Sequence, residues 1–401
     1  MRGASPQPAR RHLLRNKPFV ALCAARAVSA TGDQVAAIAL VLLIAKDHPA
    51  TAVGGLLLAE SLPMLLSTHA SVIVDRFERR RVMIVCQLGQ ALIFGAVTLW
   101  LPPYPALLAL LVLASLLGTL LRSATQVALH AVVPDEELMP ANALLGVALW
   151  GSMILGPAIG GALAGIAGPR VALAVDTATF VISAGTLLLL PRLPRLISSD
   201  DTDSGSAGAA LRFAWRDPVL RALILSMTML VAFAGVDNVA MVFLVKDTLG
   251  GSSGEYGAAM AAFGIGMVGG SLLMVRHPEW RPERILLGSF TATAGSTAAL
   301  SVAPSMAVVY PAQVVGGAGN GMDVAAQTTL VQRRTPPGML GRMSGALNSA
   351  VAVGFLFAYL GGGALVEATS PRTAFAVATL GTLGAIVVAR PVWRAPVTAS
   401  T

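Results

Sequence analysis

Gly168-Pro-Arg-Val-Ala-Leu-Ala-Val, residues 168–175, returns as Ser370-Pro-Arg-Thr-Ala-Phe-Ala-Val, residues 370–377, a displacement of 202 residues. At the same displacement Pro134 meets Pro336, and Gly160-Gly161 meets Gly362-Gly363. Nearer the start, Pro18 matches Pro218 and Lys46-Asp47 matches Lys246-Asp247, displaced by 200 residues. The matches keep their order and drift by only two residues over half the chain. The chain therefore contains one hydrophobic half twice, in parallel.

The solvent of each half follows from composition. Of 401 residues, 55% are hydrophobic and 12% charged, against about 25% charged in a soluble domain. So much apolar surface cannot be hidden in one aqueous core, and the bilayer must take it. A spanning helix needs roughly 20 apolar residues. Twelve such stretches are expected, at about 18–45, 52–74, 82–101, 105–130, 141–166, 171–190, 219–245, 255–275, 284–302, 305–331, 342–366 and 372–390. The runs are continuous and lack the alternation of barrel strands, so helices are indicated. The expected fold is an all-α integral membrane protein of twelve transmembrane helices in two parallel six-helix repeats. Residues 1–190 form the first bundle, 191–218 a polar cytoplasmic linker rich in Ser, Asp and Pro, and 219–401 the second bundle.

The net charge of +8 is explained by topology. With the N-terminus in the cytoplasm, Lys46, Arg170, Lys246 and Arg372 fall outside, and Arg26 and Arg122 fall within spans. Of 28 Lys and Arg, that leaves 22 inside, the asymmetry of the positive-inside rule. Both termini are expected in the cytoplasm, and no nucleic-acid partner is needed. No removable signal peptide is read after Lys17. Cys23 and Cys86 sit singly inside spans and suggest neither a disulfide nor a metal. Lysine occurs only at 17, 46 and 246, outside any phosphate-cradling Gly-rich loop, so the chain is not by itself an ATP-driven pump. The five histidines are scattered, with no nucleophile or metal constellation, and no enzyme is expected.

Three segments carry more specific information. Asp75-Arg76-Phe77-Glu78-Arg79-Arg80-Arg81 joins the second and third spans. Gly156-Pro157-Ala158-Ile159-Gly160-Gly161 lies in the fifth, where small residues permit close helix packing and Pro bends the span. Two polar connectors, residues 133–143 and 332–345, precede the fifth and eleventh spans. The first segment resembles the G-x-L-a-D-R-x-G-R-R loop of the major facilitator superfamily: Asp75, Arg76, Arg79 and Arg80 match, while Ser71 and Glu78 replace glycines. The second is similar to the motif of its drug:proton antiporters, and the connectors resemble those of the branch holding macrolide efflux proteins and the enterobactin exporter. The resemblance implies the major facilitator fold and alternating access. It implies a cytoplasmic gate in which Asp75 meets a helix N-terminus, with Arg79 as its charge partner. It also implies a monomer in the bacterial inner membrane that uses the proton gradient and no cofactor.

An ionisable group at membrane depth costs roughly 2.5–3.5 kcal/mol even on insertion scales, so it marks function by default. The candidates are Arg26 and Asp33 in the first span, Glu60 in the second, Arg122 in the fourth, Asp237 in the seventh and Asp323 in the tenth. Five of the six lie in spans 1, 4, 7 and 10, which line the central cavity in the fold the chain resembles. Asp323 is expected to pair with Arg122 or Arg26. Asp33, Glu60 and Asp237 are expected to bind a proton or a cationic drug in competition, since burial favours the neutral form of a carboxylate. The competing reading is structural ion pairs. It is favoured for Asp176, which is assigned to the outer end of a peripheral span.

The expected function is proton-coupled export of amphipathic drug-like or secondary-metabolite molecules, that is, multidrug efflux with antibiotic resistance as its outcome. A siderophore or lipid-like substrate is the first alternative, uptake a second, and a non-transporting scaffold or sensor the alternative of another class.

Overall fold

The computed structural model describes residues 13, 15–63, 77–134, 137–191, 207–277, 279–336 and 339–394. Every regular element among them is helical. In the N-terminal portion these are α1 (Lys17–Asp47), α2 (Ala50–Ser61), α3 (Arg79–Trp100), α4 (Tyr104–Val132), α5 (Leu138–Ile166) and α6 (Pro169–Leu187). Then come α7 (Ala207–Arg216), α8 (Pro218–Ala234), α9 (Asp237–Phe243), α10 (Ser253–Arg276), α11 (Pro282–Ser301) and α12 (Met306–Arg334). The chain closes with α13 (Leu340–Ala368), α14 (Pro371–Val388) and α15 (Arg390–Arg394). The helices group into two compact units, residues 1–42 with 59–201 and residues 43–58 with 202–401.

Nine helical segments among the described residues are long and apolar enough to cross a membrane. Two more, α11 and α12, have the length, at 20 and 29 residues, but are less apolar. The shortfall in α12 comes from Gln313, Asn320, Asp323 and Gln327 and a run of glycines. The expected stretch 52–74 appears as α2 as far as Ser61, and its remainder lies outside the described residues. Part of the expected polar linker, 191–218, is a helix, α7. It buries Ala214 and exposes Arg212, Trp215 and Arg216. Phe213 packs on the core of the second unit.

Local sequence explains where helices begin. Pro169, Pro218, Pro282 and Pro371 each stand in a first turn, where the missing N–H costs nothing. Ser252 and Glu255 form a reciprocal capping box on α10, satisfying two otherwise orphaned donors. Asp217 caps α8 through the N–H of Val219 at 2.7 Å and meets Arg334 Nη1 at 3.7 Å. The seventh expected span is one helical stretch, Pro218–Thr248. A turn at Gly235-Val236, both in right-handed helical conformation, separates α8 from α9, and α9 runs into a π-helical turn, Leu244–Thr248.

Each unit has its own apolar core. In the first, Leu22, Met83, Leu121, Leu129 and Leu187 are buried together. In the second, Leu223, Phe290, Leu330, Met343 and Val392 are. Outward faces stay apolar: Leu92, Ile166 and Leu380 are 76, 88 and 70% exposed, a surface that water would not tolerate but lipid covers.

Packing in the second unit is tightest between α10 and α12. A Cβ on Gly317 would lie 2.0 Å from the Phe263 carbonyl oxygen, and one on Gly266 2.0 Å from that of Val314. Helices of this kind associate through van der Waals contact, because the lipid offers no hydrophobic drive between them. Also in this unit, Thr51 Oγ1 donates to Glu367 at 3.0 Å, and Gly363 packs on the Thr51 backbone. We expect Gly317→Val to force α10 and α12 apart and to cost about 1–3 kcal/mol, read as a lowered melting temperature of the purified protein in detergent. An unchanged melting temperature would contradict the packing described.

Candidate functional site

The site is built around one turn of α1, residues 31–35, held on two sides by glycine contacts. On one side α5 contributes Gly156 and Gly160. A Cβ on Gly156 would fall 2.3 Å from Gln34 Cβ, and one on Gly160 would fall 2.9 Å from the Val35 carbonyl oxygen. Thr31 Oγ1 donates to Ser152 Oγ across the same contact at 3.1 Å. The motif Gly156-Pro157-x-x-Gly160-Gly161 thus seats α1, and Pro157 lies inside α5. On the other side Gly32 faces α6: a Cβ there would meet Thr179 Oγ1 at 2.0 Å and Asp176 Oδ1 at 2.4 Å. Ser183 Oγ donates to the Ala25 carbonyl at 3.0 Å, tying the same two helices further along.

Beside this turn lies a cavity of about 260 Å³. Its charged lining is Asp33, Glu60 and Arg122, and its neutral polar lining is Gln34, Gln90 and Ser115. Ser115 Oγ donates to the Glu60 backbone carbonyl, which fixes that end of α2 to α4. Gln90 Nε2 donates to the Ala114 carbonyl at 3.4 Å, while its Oε1, buried, has no partner among the described residues. Arg122 Nη2 donates to Thr119 Oγ1 at 3.0 Å. Arg26, two turns before Asp33 on α1, is 8% exposed and acts electrostatically on both Asp33 and Arg122.

Four of the expected site residues, Arg26, Asp33, Glu60 and Arg122, therefore belong to one cluster. Asp176 belongs with them and corrects the peripheral reading. It is fully buried, interacts with both Asp33 and Glu60, receives a 3.2 Å bond from Thr179, and leaves Oδ2 without a partner. The signal available in the sequence was Gly32, the small residue next to Asp33 that lets α6 approach.

The other two carboxylates lie in the second unit. Asp237 opens α9, directly after the turn at Gly235-Val236, and lies beside Gln313 and Tyr256. Its Oδ1 is buried without a partner. Asp323 is 3% exposed, and its Oδ2 accepts from Gln327 Nε2 at 2.6 Å. Its partner is thus an amide one turn on, where an arginine was expected.

In the gate segment, Asp75 and Arg76 lie outside the described residues. Arg79 is buried at 1% exposure. Arg80 Nη2 donates to the Leu188 carbonyl at 2.8 Å, satisfying an orphan acceptor at the end of α6. Arg81 pairs with Glu78 at 3.2 Å. Among the described residues, no group of three His, Cys, Asp or Glu side chains could hold a metal ion.

The family profile MFS_3, described as a transmembrane secretion effector, matches residues 12–400. The chain belongs to the major facilitator superfamily. This transporter is 26% identical over 384 residues to an uncharacterized MFS-type transporter, YfiS, of Bacillus subtilis, covering 91% of each chain. It is 30% identical over 294 residues to the enterobactin exporter EntS of Salmonella typhimurium, covering 68% of this chain and 67% of that one. Among solved structures, the nucleoside transporter NupG superposes with a TM-score of 0.76 at 11% identity, over 95% of this chain and all of that one. A bacterial homologue of the iron transporter ferroportin, in an inward-facing state, gives 0.71 at 18% identity, over 95% and 99%. These likenesses establish the fold class. The protein is a multi-pass membrane transporter and not an enzyme.

Within this transporter, Gly156→Ala places a methyl group against Gln34 and must shift the turn bearing Asp33. We expect transport to fall about tenfold or more, the effect of losing about 1.4 kcal/mol, while the protein still reaches the membrane. Gly146→Ala, in the same helix with open space around it, should leave transport unchanged. Equal transport by the two variants would show that the seat of α1 is not needed.

Proposed function

We propose that this transporter is a proton-coupled exporter of drug-like or secondary-metabolite molecules, working by alternating access. In this reading it has twelve membrane helices in two parallel six-helix repeats and acts as a monomer in a bacterial inner membrane, with both termini in the cytoplasm. The observation that carries the proposal is the charge balance of the first-unit cluster. Asp33 interacts with both guanidiniums, Arg26 and Arg122, while Glu60 and Asp176 interact with Asp33, so the five groups together carry one excess negative charge when all are ionised. Burying an uncompensated charge is costly. One proton or one cationic group removes that cost, and the two compete for the same place. Competition of this kind is antiport: loading one ligand lowers affinity for the other, and the coupling is reciprocal.

Asp237 adds a second carboxylate with an unpartnered oxygen, just after the turn at Gly235-Val236 within its span. The Gly156-Pro157 motif and the exporter relatives support outward transport. Asp75 and Arg76, with Arg79 and Arg80, form the cytoplasmic gate in this scheme. Arg80's hold on the end of α6 supports a structural tie from that segment to the helix that carries Asp176.

A siderophore substrate is the second reading, favoured by the similarity to enterobactin exporters. Purified protein in liposomes with an internal pH-sensitive dye tests the first. Cationic drugs should drive proton release, and Asp33→Asn and Asp237→Asn should each reduce coupling about tenfold or more. If both variants couple as the parent does, the carboxylates are not the proton carriers. If no drug drives proton release and cells lacking the protein secrete less siderophore, the second reading replaces the first.

A further inference from the structure

A second cavity, of about 410 Å³, opens where the chain passes from α10 to α11. Its volume is in the range of ligand pockets, roughly 300–1,000 Å³, and its lining differs from that of the cluster around Asp33. The mouth carries Glu279, Trp280, Arg281 and Arg284, and the floor is Ile285, Gly288 and Met322. Charged groups sit at one end and apolar groups at the other. Gly288 keeps the floor open, because a Cβ added there meets nothing within 4 Å.

The charges at the mouth do not cancel. Glu279 is engaged by His277 Nδ1 at 3.0 Å, and hydrogen bonds from its own backbone N–H and from His277 hold its carboxyl below the usual range. Arg281 Nε lies 3.7 Å from Glu283. Arg276, the last residue of α10, and Arg284 are both exposed, and neither forms an ion pair among the described residues. In the lining itself Arg281 and Arg284 stand against Glu279, a surplus of one positive charge. Trp280 is 42% exposed, its ring stacked on His277 with centroids 4.5 Å apart. Tryptophan at a helix end marks the depth of lipid headgroups.

We propose that this cavity binds a phospholipid with a singly charged anionic headgroup of the phosphatidylglycerol type. The phosphate sits on Arg284, beside Arg281, and an acyl chain lies over Ile285, Gly288 and Met322. A free anion has no use for the apolar floor, and a neutral lipid none for the surplus guanidinium. Glu279 at the mouth disfavours a second negative charge and so sets the headgroup class. The occupant would also reach the transport machinery, since Met322 and Gly288 are the chain neighbours of Asp323 and Ser289, where α12 packs on α11. This inference is independent of the proposed substrate.

Native mass spectrometry of the full-length protein in detergent tests it, with phosphatidylglycerol, phosphatidylcholine or phosphatidylethanolamine added at equal concentration. We expect one phosphatidylglycerol to be retained in preference to either other lipid. Arg284→Gln should reduce that preference about fivefold, the effect of one basic residue at a lipid surface, and Arg284→Lys should restore part of it. Gly288→Leu should fill the floor and abolish retention with the charges intact. Melting temperatures close to the parent's keep these results interpretable, and Arg284→Gln stands alone if Gly288→Leu fails to fold. Equal retention of the three lipids, or variants that retain phosphatidylglycerol as the parent does, would overturn the proposal. So would displacement of the lipid by millimolar inorganic phosphate, which would mark a simple anion site.

Discussion

The close approach of α1 to α5 and α6 is the contact on which the first unit depends. Gly156 and Gly160 on one side and Gly32 on the other remove the side chains that would hold the helices apart. In a bilayer this is the available source of adhesion, because lipid tails are as apolar as the helix faces. The hydroxyls of Thr31, Ser152 and Ser183 add hydrogen bonds at the same contacts. The consequence is positional: Asp33 follows Gly32 in sequence and Gln34 lies against Gly156 in space, so neither moves independently of these contacts. The Asp33 carboxylate is thereby mounted on a turn fixed from both sides. Pre-positioned charge of this kind responds to a ligand without first being organised.

The two units solve the problem of buried charge differently. In the first, acids and guanidiniums share one neighbourhood around a cavity. In the second, Asp323 accepts from the amide of Gln327, and Asp237 lies beside the amide of Gln313. Amides can donate to an ionised carboxylate and accept from a protonated one, so these sites do not require a fixed charge state. The two units therefore differ in their polar chemistry.

Much of this was legible in the sequence. The proline corners, the glycine motif of α5 and the long apolar runs each specify a local outcome, and the described parts of those runs are helical. What was missed depended on contacts distant in sequence. Asp176 was misplaced because depth along a span says nothing about which helix faces it, and Gly32 decided that. The π turn after α9 and the turn at Gly235-Val236 carry no periodic signature, since Gly is frequent in membrane helices. Helix α7 was hidden by the Pro-, Ser- and Asp-rich stretch before it, although Leu211-Arg-Phe-Ala-Trp-Arg216 reads as an amphipathic turn. The reduced hydropathy of α11 and α12 has the same origin as their packing. Small and polar residues that let helices touch are the ones that weaken the apolar signal.

The unpartnered acceptors of the two units carry a practical consequence. Gln90 Oε1 and Asp176 Oδ2 in the first unit and Asp237 Oδ1 in the second have no donor among the described residues, so each can accept a hydrogen bond from a bound molecule. A ligand that makes such bonds binds the folded protein and not the unfolded chain. A ligand at a hundred times its Kd stabilises the folded state by about 2.7 kcal/mol through mass action alone. Resistance to heat thus becomes an assay for the cargo: of many candidate molecules, those that raise the unfolding temperature identify the chemistry the site was built to receive.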